Sequence, residues 1–405
     1  MTENNKRGMV TVFICTFFVT MVFMVLVFAD ASRKTAVGGS VKALSSLWAD
    51  SVLAEYDLNL QKRYNLFGFY GYPTDVKRKV EFYAGDSFDS KKYITYRLTG
   101  CSLYDYALVN VEIAEPQMEA AGKLAFTGDF VKPEETIKAV SGYEGSGIGE
   151  KVFEDLPSAG AEDSSLLVRL KRLLSDKNSV SSAIEKTGTA WHINQYMMAY
   201  FKDASDDKSL GPTYFSNEIE YVICGKKSDA ANASAIRNRI VTLREGPNAL
   251  YLNRDPVKSG EAMAAAQLLT PGPAAVVTKQ ALIMAWALAE SINDYKLLIN
   301  GHKVPLNKTE ATWAVDLESV INNREEGCIY TGVDVGETYQ DYLSLLACTM
   351  DGRLRILRIL DLIQINMRRY YYEDFLLREY NGGVRFVLTV NGEPYETVKT
   401  YEIPR

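Results

Sequence analysis

Histidine, the side chain best suited to proton transfer near neutral pH, occurs only twice, at His192 and His302. His192 follows Trp191 in an expected helix, and His302 sits in the turn Asn300-Gly301-His302-Lys303. Neither stands at metal-ligand spacing from another donor, and HExxH, GxSxG and GxxxxGKS/T motifs are absent. The acids Glu325-Glu326 and the run from Asp334 to Asp341 suit a cation or a sugar, and suit a solvated loop equally well. A two-carboxylate glycosidase needs a fixed separation in space that a sequence does not display. Arg353, Arg355 and Arg358, with Arg368-Arg369, alternate with Leu and Ile at helical spacing and read as a charged outer face. GSGIGE (Gly145 to Glu150) lacks both the preceding strand and the GKS/T ending of a phosphate loop and reads as linker. No catalytic residue, metal site or cofactor follows, and the expectation is a non-enzymatic protein.

The element that positions everything else is at the N-terminus. Met9 to Ala29 contain no charged side chain, and Lys6-Arg7-Gly8 precede them. About twenty apolar residues, as a helix, match the thickness of bilayer hydrocarbon. Met9, Phe13, Phe17, Phe18, Phe23, Leu26 and Phe28 are among the anchoring side chains. The thirteen Val, Ile, Leu and Phe of this stretch contribute about −0.3 to −0.6 kcal/mol each at mid-membrane, at most about −4 to −8 kcal/mol together. Ala29-Asp30-Ala31 has the shape of a signal-peptidase site, but the apolar run exceeds the roughly 7–15 residues of a secretory signal. The expectation is a retained single span with a cytoplasmic N-terminus and a large extracytoplasmic C-terminal part. Ala274 to Ala289 is shorter, contains Lys279 and reads as a buried helix.

Beyond the span, Val37, Val41, Leu44, Trp48 and Val52 recur three and four residues apart, which predicts an amphipathic stalk helix. Its apolar stripe is expected to face either its own core or a partner helix, and Gly38-Gly39 to loosen or kink it. Val80–Tyr83, Tyr93–Leu98, Ala107–Ile113 and Glu218–Cys224 read as strands by β-branched and aromatic content. Helices are expected from Asp229 to about Arg244, Pro256 to about Leu269, Ala274 to Ile299, Tyr339 to Leu346 and Arg353 to Met367. Val384–Val390, Asn391-Gly392 and Tyr395–Ile403 read as a β-hairpin. The expected order is a leader-like tail (1–8), a transmembrane helix (9–29), a stalk (30–64), a strand-rich region (65–140), a flexible linker (141–163) and an α+β extracytoplasmic domain (164–405). The fold class is α+β: an N-terminal transmembrane helix, a stalk, a mixed α/β body and a C-terminal hairpin.

Hydrophobic residues make up 47% of the chain, enough to build a core, and the net charge of −6 argues against nucleic acid as a partner. Its 25 tyrosines suit half-buried strand faces and interfaces. Cys101, Cys224, Cys328 and Cys348 lie outside the span with no CxxC pair; they read as core thiols, although two disulfides are compatible with their number.

Several ordered blocks carry a resemblance. The first runs from Arg7-Gly8 and Val10-Thr11-Val12-Phe13 through Ala29, Ala31 and Arg33 to Leu53–Tyr56 and Tyr64–Gly68. The second comprises Glu218–Lys226, Arg239-Ile240, Leu243-Arg244-Glu245, Asn248, Tyr251-Leu252 and Asp255-Pro256. The third joins Ala285–Ser291 to Lys303–Leu306 and Lys308-Thr309, and Tyr339–Leu343 and Asp361–Arg368 extend it. The pattern resembles an uncharacterised family of single-span surface proteins of Gram-positive bacteria that look like TadE/TadG-type minor pseudopilins of the tight-adherence (Flp, type IVc) pilus. The resemblance implies prepilin-type processing between Gly8 and Met9. It departs from the prepilin pattern at Phe13, where such proteins carry Glu. It further implies a membrane-anchored component of a pilus or secretion assembly, with the lipid bilayer and other assembly proteins as partners. A pilus-independent surface adhesin or ligand-binding protein is the alternative, and a cell-envelope hydrolase using the acidic loops is a third reading.

Overall fold

No proline interrupts Glu3 to Leu53, and the chain forms one 51-residue helix, α1, across that range. The computed structural model describes residues 3–89, 93–125, 179–205, 210–322 and 327–401. From Val12 to Ala36 the side chains of α1 are exposed; burial begins at Val37 and Val41. Gly38-Gly39 do not kink the helix. A Cβ on Gly38 would lie 3.2 Å from the Tyr395 hydroxyl, so this glycine admits a neighbouring strand. The helix ends at Leu53, and the expected stalk resumes only as a short α2 (Leu58–Tyr64), with Asp57 Oδ1 accepting from the Leu60 amide at 2.7 Å.

The described chain divides into two compact units. The first joins α1 and the chain to Gln61 with Phe67–Ile113 and the C-terminal strands. Its sheet is β2 (Tyr96–Ser102), β4 (Gly383–Val390) and β5 (Glu393–Thr400), antiparallel in the order β2-β4-β5, with a register shift between Leu98 and Gly100. A two-residue pair, β1 (Phe69–Tyr70) with β3 (Tyr380–Asn381), stands apart from it. The expected hairpin is present, with Asn391 and Gly392 both at positive φ in its turn. The stripe Val37, Val41, Leu44, Trp48 and Val52 packs with Phe88, Leu98, Val384, Phe386 and Leu388 in one core. The stripe therefore belongs to the unit's own interior.

Two expected strands of this unit are helical. Val80–Tyr83 lies inside α3 (Pro73–Phe88), started by Pro73 and by Asp75, whose carboxylate accepts from the Tyr72 amide. Val76, Val80, Ala84 and Phe88 are buried every fourth residue, a helical period that outweighs β-branched content. Ala107–Ile113 is instead a turn leading into α4 (Val111–Ala125), with Ala107 making a single bridge to Asn381. The region 65–140 is thus not strand-rich where it is described: only β1 and β2 occur among its described residues. The linker at 141–163 lies outside the described residues, as do GSGIGE and Glu325-Glu326.

The second unit comprises Lys62–Leu66 and the chain from Ala114 to Leu376. Its described helices after α4 are α5 (Ser179–Tyr200), α6 (Glu218–Cys224), α7 (Asp229–Arg254), α8 (Pro256–Leu269), α9 (Ala275–Ile299), α10 (Leu317–Ile321), α11 (Tyr339–Cys348) and α12 (Gly352–Tyr370). Ser228, Asp255, Asp316, Thr338 and Asp351 each cap the following helix through their side-chain oxygens. Helix α7 runs on past the expected end near Arg244, through Gly246-Pro247. Glu218–Cys224, expected as a strand, is helix α6, because both of its glutamates turn inward to buried donors and Gly225 closes it at φ 64°. Trp286 and Trp313 meet edge to face, and both indole nitrogens donate to Val315 O, at 2.8 and 2.7 Å. Cys101, Cys224 and Cys348 are partly or wholly buried free thiols, whereas Cys328 is exposed rather than a core thiol.

Helices α4 and α5 touch backbone to backbone at Gly122, where an added Cβ would lie 1.9 Å from His192 O. Gly122→Ala must part these helices and is expected to destabilise the protein by about 1–3 kcal/mol, read as a lower melting temperature of the detergent-solubilised chain.

Candidate functional site

The acids of α6 begin the site. Glu218 and Glu220 are fully buried in its first turn. A buried carboxylate needs donors, and the chain leaving α5 supplies them. Glu218 Oε2 accepts from the Lys202 amide at 3.0 Å, and Glu220 Oε1 from the Ala204 amide at 2.8 Å. Asn366 on α12 donates to Glu218 Oε1 at 2.6 Å and to the Tyr64 hydroxyl at 3.0 Å. Tyr339 on α11 donates its hydroxyl to Glu220 Oε1 at 2.9 Å. Glu220 Oε2 is buried and has no hydrogen-bond partner among the described residues. Burial, aided by nearby Asp203 and only partly offset by the hydrogen bonds, pushes the Glu220 carboxyl up to about 7. Burial likewise raises Glu218 and, reinforced by Glu220, the Tyr339 phenol.

In front of Tyr339 lies a cavity of about 370 Å³ lined by Ser205, His302, Thr338, Tyr339, Gln340 and Asp341, with Leu298 and Gly301. The residues around its mouth are mostly committed to one another. Asp203 accepts from the Ser205 amide and hydroxyl at 2.8 and 2.6 Å and from Gln340 Nε2 at 2.9 Å. Asp341 Oδ2 accepts from the Thr338 amide and hydroxyl at 2.8 and 2.6 Å. The His302 ring stacks on Tyr330, centroids 4.1 Å apart, with Nδ1 4.0 Å from Asp334 Oδ1. Ser205 gives its hydroxyl to Asp203, and His302 faces Asp334, so these contacts do not join the two as a nucleophile and base. Asp334 Oδ1 also accepts from the Lys303 amide at 2.7 Å, and Glu337 exchanges backbone bonds with Val304. The end of the acidic run therefore lines the cavity, while Asp334 holds the Lys303 turn, Asp341 caps α11 at Thr338, and Glu337 Oε2 is buried without a hydrogen-bond partner among the described residues. No group of three or more His, Cys, Asp or Glu fit to hold a metal occurs among the described residues.

A second buried network lies between α7, α9 and the chain from Leu306 to Val315. Arg244 on α7 donates from Nε to Asp294 Oδ2 at 2.9 Å, from Nη1 to Leu306 O at 2.9 Å and from Nη2 to Asn248 Oδ1 at 3.1 Å. Lys308 Nζ reaches Glu290 Oε1 at 2.7 Å, Asp294 Oδ1 at 2.6 Å and Thr312 O at 2.9 Å. Glu290 Oε2 accepts from the Val315 amide at 2.8 Å. Burial opposes ionisation of Asp294, but Arg244 and Lys308 outweigh it and hold its carboxyl below the usual range; at Glu290 burial prevails and the shift is upward.

Two arginines expected on an outer face serve the interior instead. Arg355 is buried and donates to Asn194 Oδ1 at 2.8 Å, and Arg358 Nη1 donates to Val222 O and Ile223 O, both at 2.9 Å, closing α6. Carbonyls left over at a helix end attract such donors. His192 is half-buried on α5, its pKa lowered by burial and by Lys123. In the first unit, Gly8 and Met9 lie on the backbone of α1, and Phe13, Phe17, Phe18, Phe23, Leu26 and Phe28 are exposed along it. The one sequence signal of these interior charges is that Glu218-Ile219-Glu220 and Glu290 stand as acids inside apolar runs.

Native Glu220 keeps its proton up to about pH 7, whereas the unfolded carboxyl releases it near the usual 4.5. Between those values the folded state binds more protons, so this contribution to stability is complete below about 4.5 and lost by about 7. Glu220→Gln is expected to flatten the fall in unfolding free energy across that window, measured by denaturant titration at several pH values. Lys308→Met leaves two buried carboxylates facing one cation and is expected to cost about 3–5 kcal/mol in the same assay.

No curated protein and no solved structure matches the chain. Residues 129–392 match DUF5702, described as a family of unknown function. That stretch contains the α6 acids, the ion network and the cavity-lining residues alike. Because the match covers more than half of the sequence, the protein belongs to the DUF5702 family.

Proposed function

We propose that this protein is a non-enzymatic, membrane-anchored component, similar to a minor pseudopilin, of a tight-adherence pilus or related secretion assembly. The observation that carries the reading is α1. One uninterrupted helix is bare and apolar from Val12 to Ala29 and packs against an antiparallel sheet from Val37 onward. Its window of highest mean hydropathy, 2.8, is wholly unburied. Met9 to Ala29, 21 residues, gives a rod of about 31 Å, the thickness of bilayer hydrocarbon. Such a helix suits a protein held in the membrane beside an assembly platform while its folded units contact neighbouring subunits outside. In this reading the N-terminus is cytoplasmic, the bilayer is the first partner and assembly proteins are the others. Gly8-Met9 is the processing position. With Phe13 in place of an acid, a new amine on Met9 has no carboxylate at that position to pair with across subunits.

The cavity beside Tyr339 favours one second reading, a pilus-independent surface protein that binds a small ligand or host glycan.

Two measurements on the native host test the leading reading. The protein is expected to stay in the membrane pellet after alkaline carbonate extraction, with its C-terminal units open to protease added outside intact protoplasts. Mass spectrometry of that fraction reads the mature N-terminus: a start at Met9 identifies a processed subunit, and an intact Met1 a permanent accessory anchor. Deleting the gene is expected to impair pilus assembly or adhesion, and in-cell crosslinking to recover a pilus component. Unchanged assembly and adhesion with no such crosslink would overturn the proposal.

A further inference from the structure

Two separate contacts with α1 place one rim of the first unit at the same height along the helix. Arg33 lies four residues beyond Ala29, a rise of about 6 Å. The Tyr93 ring packs there, its centroid 5.3 Å from Arg33 Cζ. Strand β5 and the residue after it run alongside α1: Tyr395 packs at Gly38, Lys399 bonds Ser46 at 3.2 Å, and Tyr401 donates to Leu53 O at 2.6 Å. Gly38 is about 13 Å beyond Ala29 by helical rise. Glu393, two residues before Tyr395, reaches back by about 7 Å at strand rise, to about 6 Å again. The two edges of the rim are tied together, since the Asn391 amide donates to Thr95 O at 2.8 Å and the Thr95 amide to Asn391 Oδ1 at 2.9 Å.

A headgroup layer extends about 5–7 Å beyond the hydrocarbon on each side. The rim falls within it. Tyr93 is an exposed aromatic with a polar tip, the kind of side chain that concentrates at that depth. Asp30 and Lys34 satisfy each other at 3.2 Å, and no carboxylate pairs with Arg33 among the described residues. A guanidinium backed by a ring and left without an anion complements a phosphate.

Resting on the reading that α1 spans the bilayer, we infer that the rim Tyr93–Thr95 with Asn391–Glu393 is seated in the phospholipid headgroup layer, where Arg33 binds lipid phosphate. The seat holds the first unit on the membrane surface rather than on a free stalk.

Spin labels placed singly at Val22, Leu58 and Glu393 test this in the full chain, its five native cysteines replaced, reconstituted in phosphatidylglycerol vesicles. Position 22 is expected to be open to oxygen and closed to a water-soluble nickel chelate, and position 58 the reverse. Position 393 is expected to be shielded from the soluble chelate and relaxed by nickel carried on lipid headgroups. Arg33→Gln should shift 393 toward the pattern of 58 in these vesicles and leave it unmoved in phosphate-free galactolipid vesicles. A water-exposed 22 would overturn the span and the seat together. A buried 22 with 393 behaving like 58 would overturn the seat alone, and an equal shift of 393 in galactolipid would overturn phosphate binding. The unmodified chain gives a parallel readout by photo-crosslinking to headgroup-diazirine phospholipid. Adducts are expected on the peptide Tyr93–Arg97, and adducts confined to residues before Arg33 would count against the seat.

Discussion

Two cations and two carboxylates share the interior of the second unit, and most of its architecture follows from keeping them there. Arg244, Lys308, Glu290 and Asp294 are all essentially inaccessible to solvent. Charges so placed cost several kcal/mol each in lost hydration and persist only where partners are close and numerous. Arg244 spreads its nitrogens over Asp294, Asn248 and a backbone carbonyl, and Lys308 spreads its own over two acids and another carbonyl. Well-packed apolar residues could equal such a network in stability. What they could not do is fix the chain from Leu306 to Val315 against α7 and α9 by direction as well as by contact. The Trp286 and Trp313 indoles, converging on Val315 O, finish that attachment. The network also assigns α9. The helix is apolar enough to qualify as a span by length and hydropathy, yet it carries Glu290 and Asp294 on its buried side.

The first unit obeys a different constraint. Helix α1 is both its longest core element and its most exposed one, and the change occurs within a single turn near Val37. Because no proline, bulge or break separates the halves, the orientation of the bare segment is carried rigidly into the sheet. Gly38 shows how closely the strand approaches, since even a methyl group there would press on Tyr395. Lys399, bonded to Asp50 and Ser46, holds the same strand one turn after another along the helix. A hinge near Val37 would decouple the bare segment from the folded unit. The unbroken helix has none.

The sequence made the periodic elements legible and the interior charges illegible. The apolar N-terminal helix, its buried stripe, the hairpin and the long C-terminal helices each announce themselves by a pattern that one segment contains. Val80–Tyr83 and Glu218–Cys224 misled because short β-branched and aromatic runs do not separate strand from helix. In the first, burial every fourth residue from Val76 to Phe88 decides; in the second, donors at Lys202, Ala204, Asn366 and Tyr339 decide, far away in sequence. The same distance hid Arg355 and Arg358. Their helical spacing with Leu and Ile is that of a solvated stripe, and only α5 and α6 packing on α12 turns them into interior donors. The cavity is half legible, in that His302 and the end of the acidic run, Thr338 to Asp341, line it, but Ser205 and Leu298 join them from segments distant in sequence.

The polar chemistry of that cavity bears on the second functional reading. The acids beside it suggested either a cation or a sugar. A cation site needs carboxylate oxygens free to converge. Here Asp341 is spent on the Thr338 cap, Asp203 on Ser205 and Gln340, and Asp334 on the Lys303 amide. Glu220, behind Tyr339, retains its proton to about pH 7 and adds little negative charge below it. What remains is a wall of hydroxyl, amide and aromatic groups with few uncommitted charges. If the cavity takes a ligand, an uncharged hydroxylated molecule fits that wall better than a metal ion, since it can exchange hydrogen bonds without requiring any of the carboxylates to abandon the loop or helix it holds.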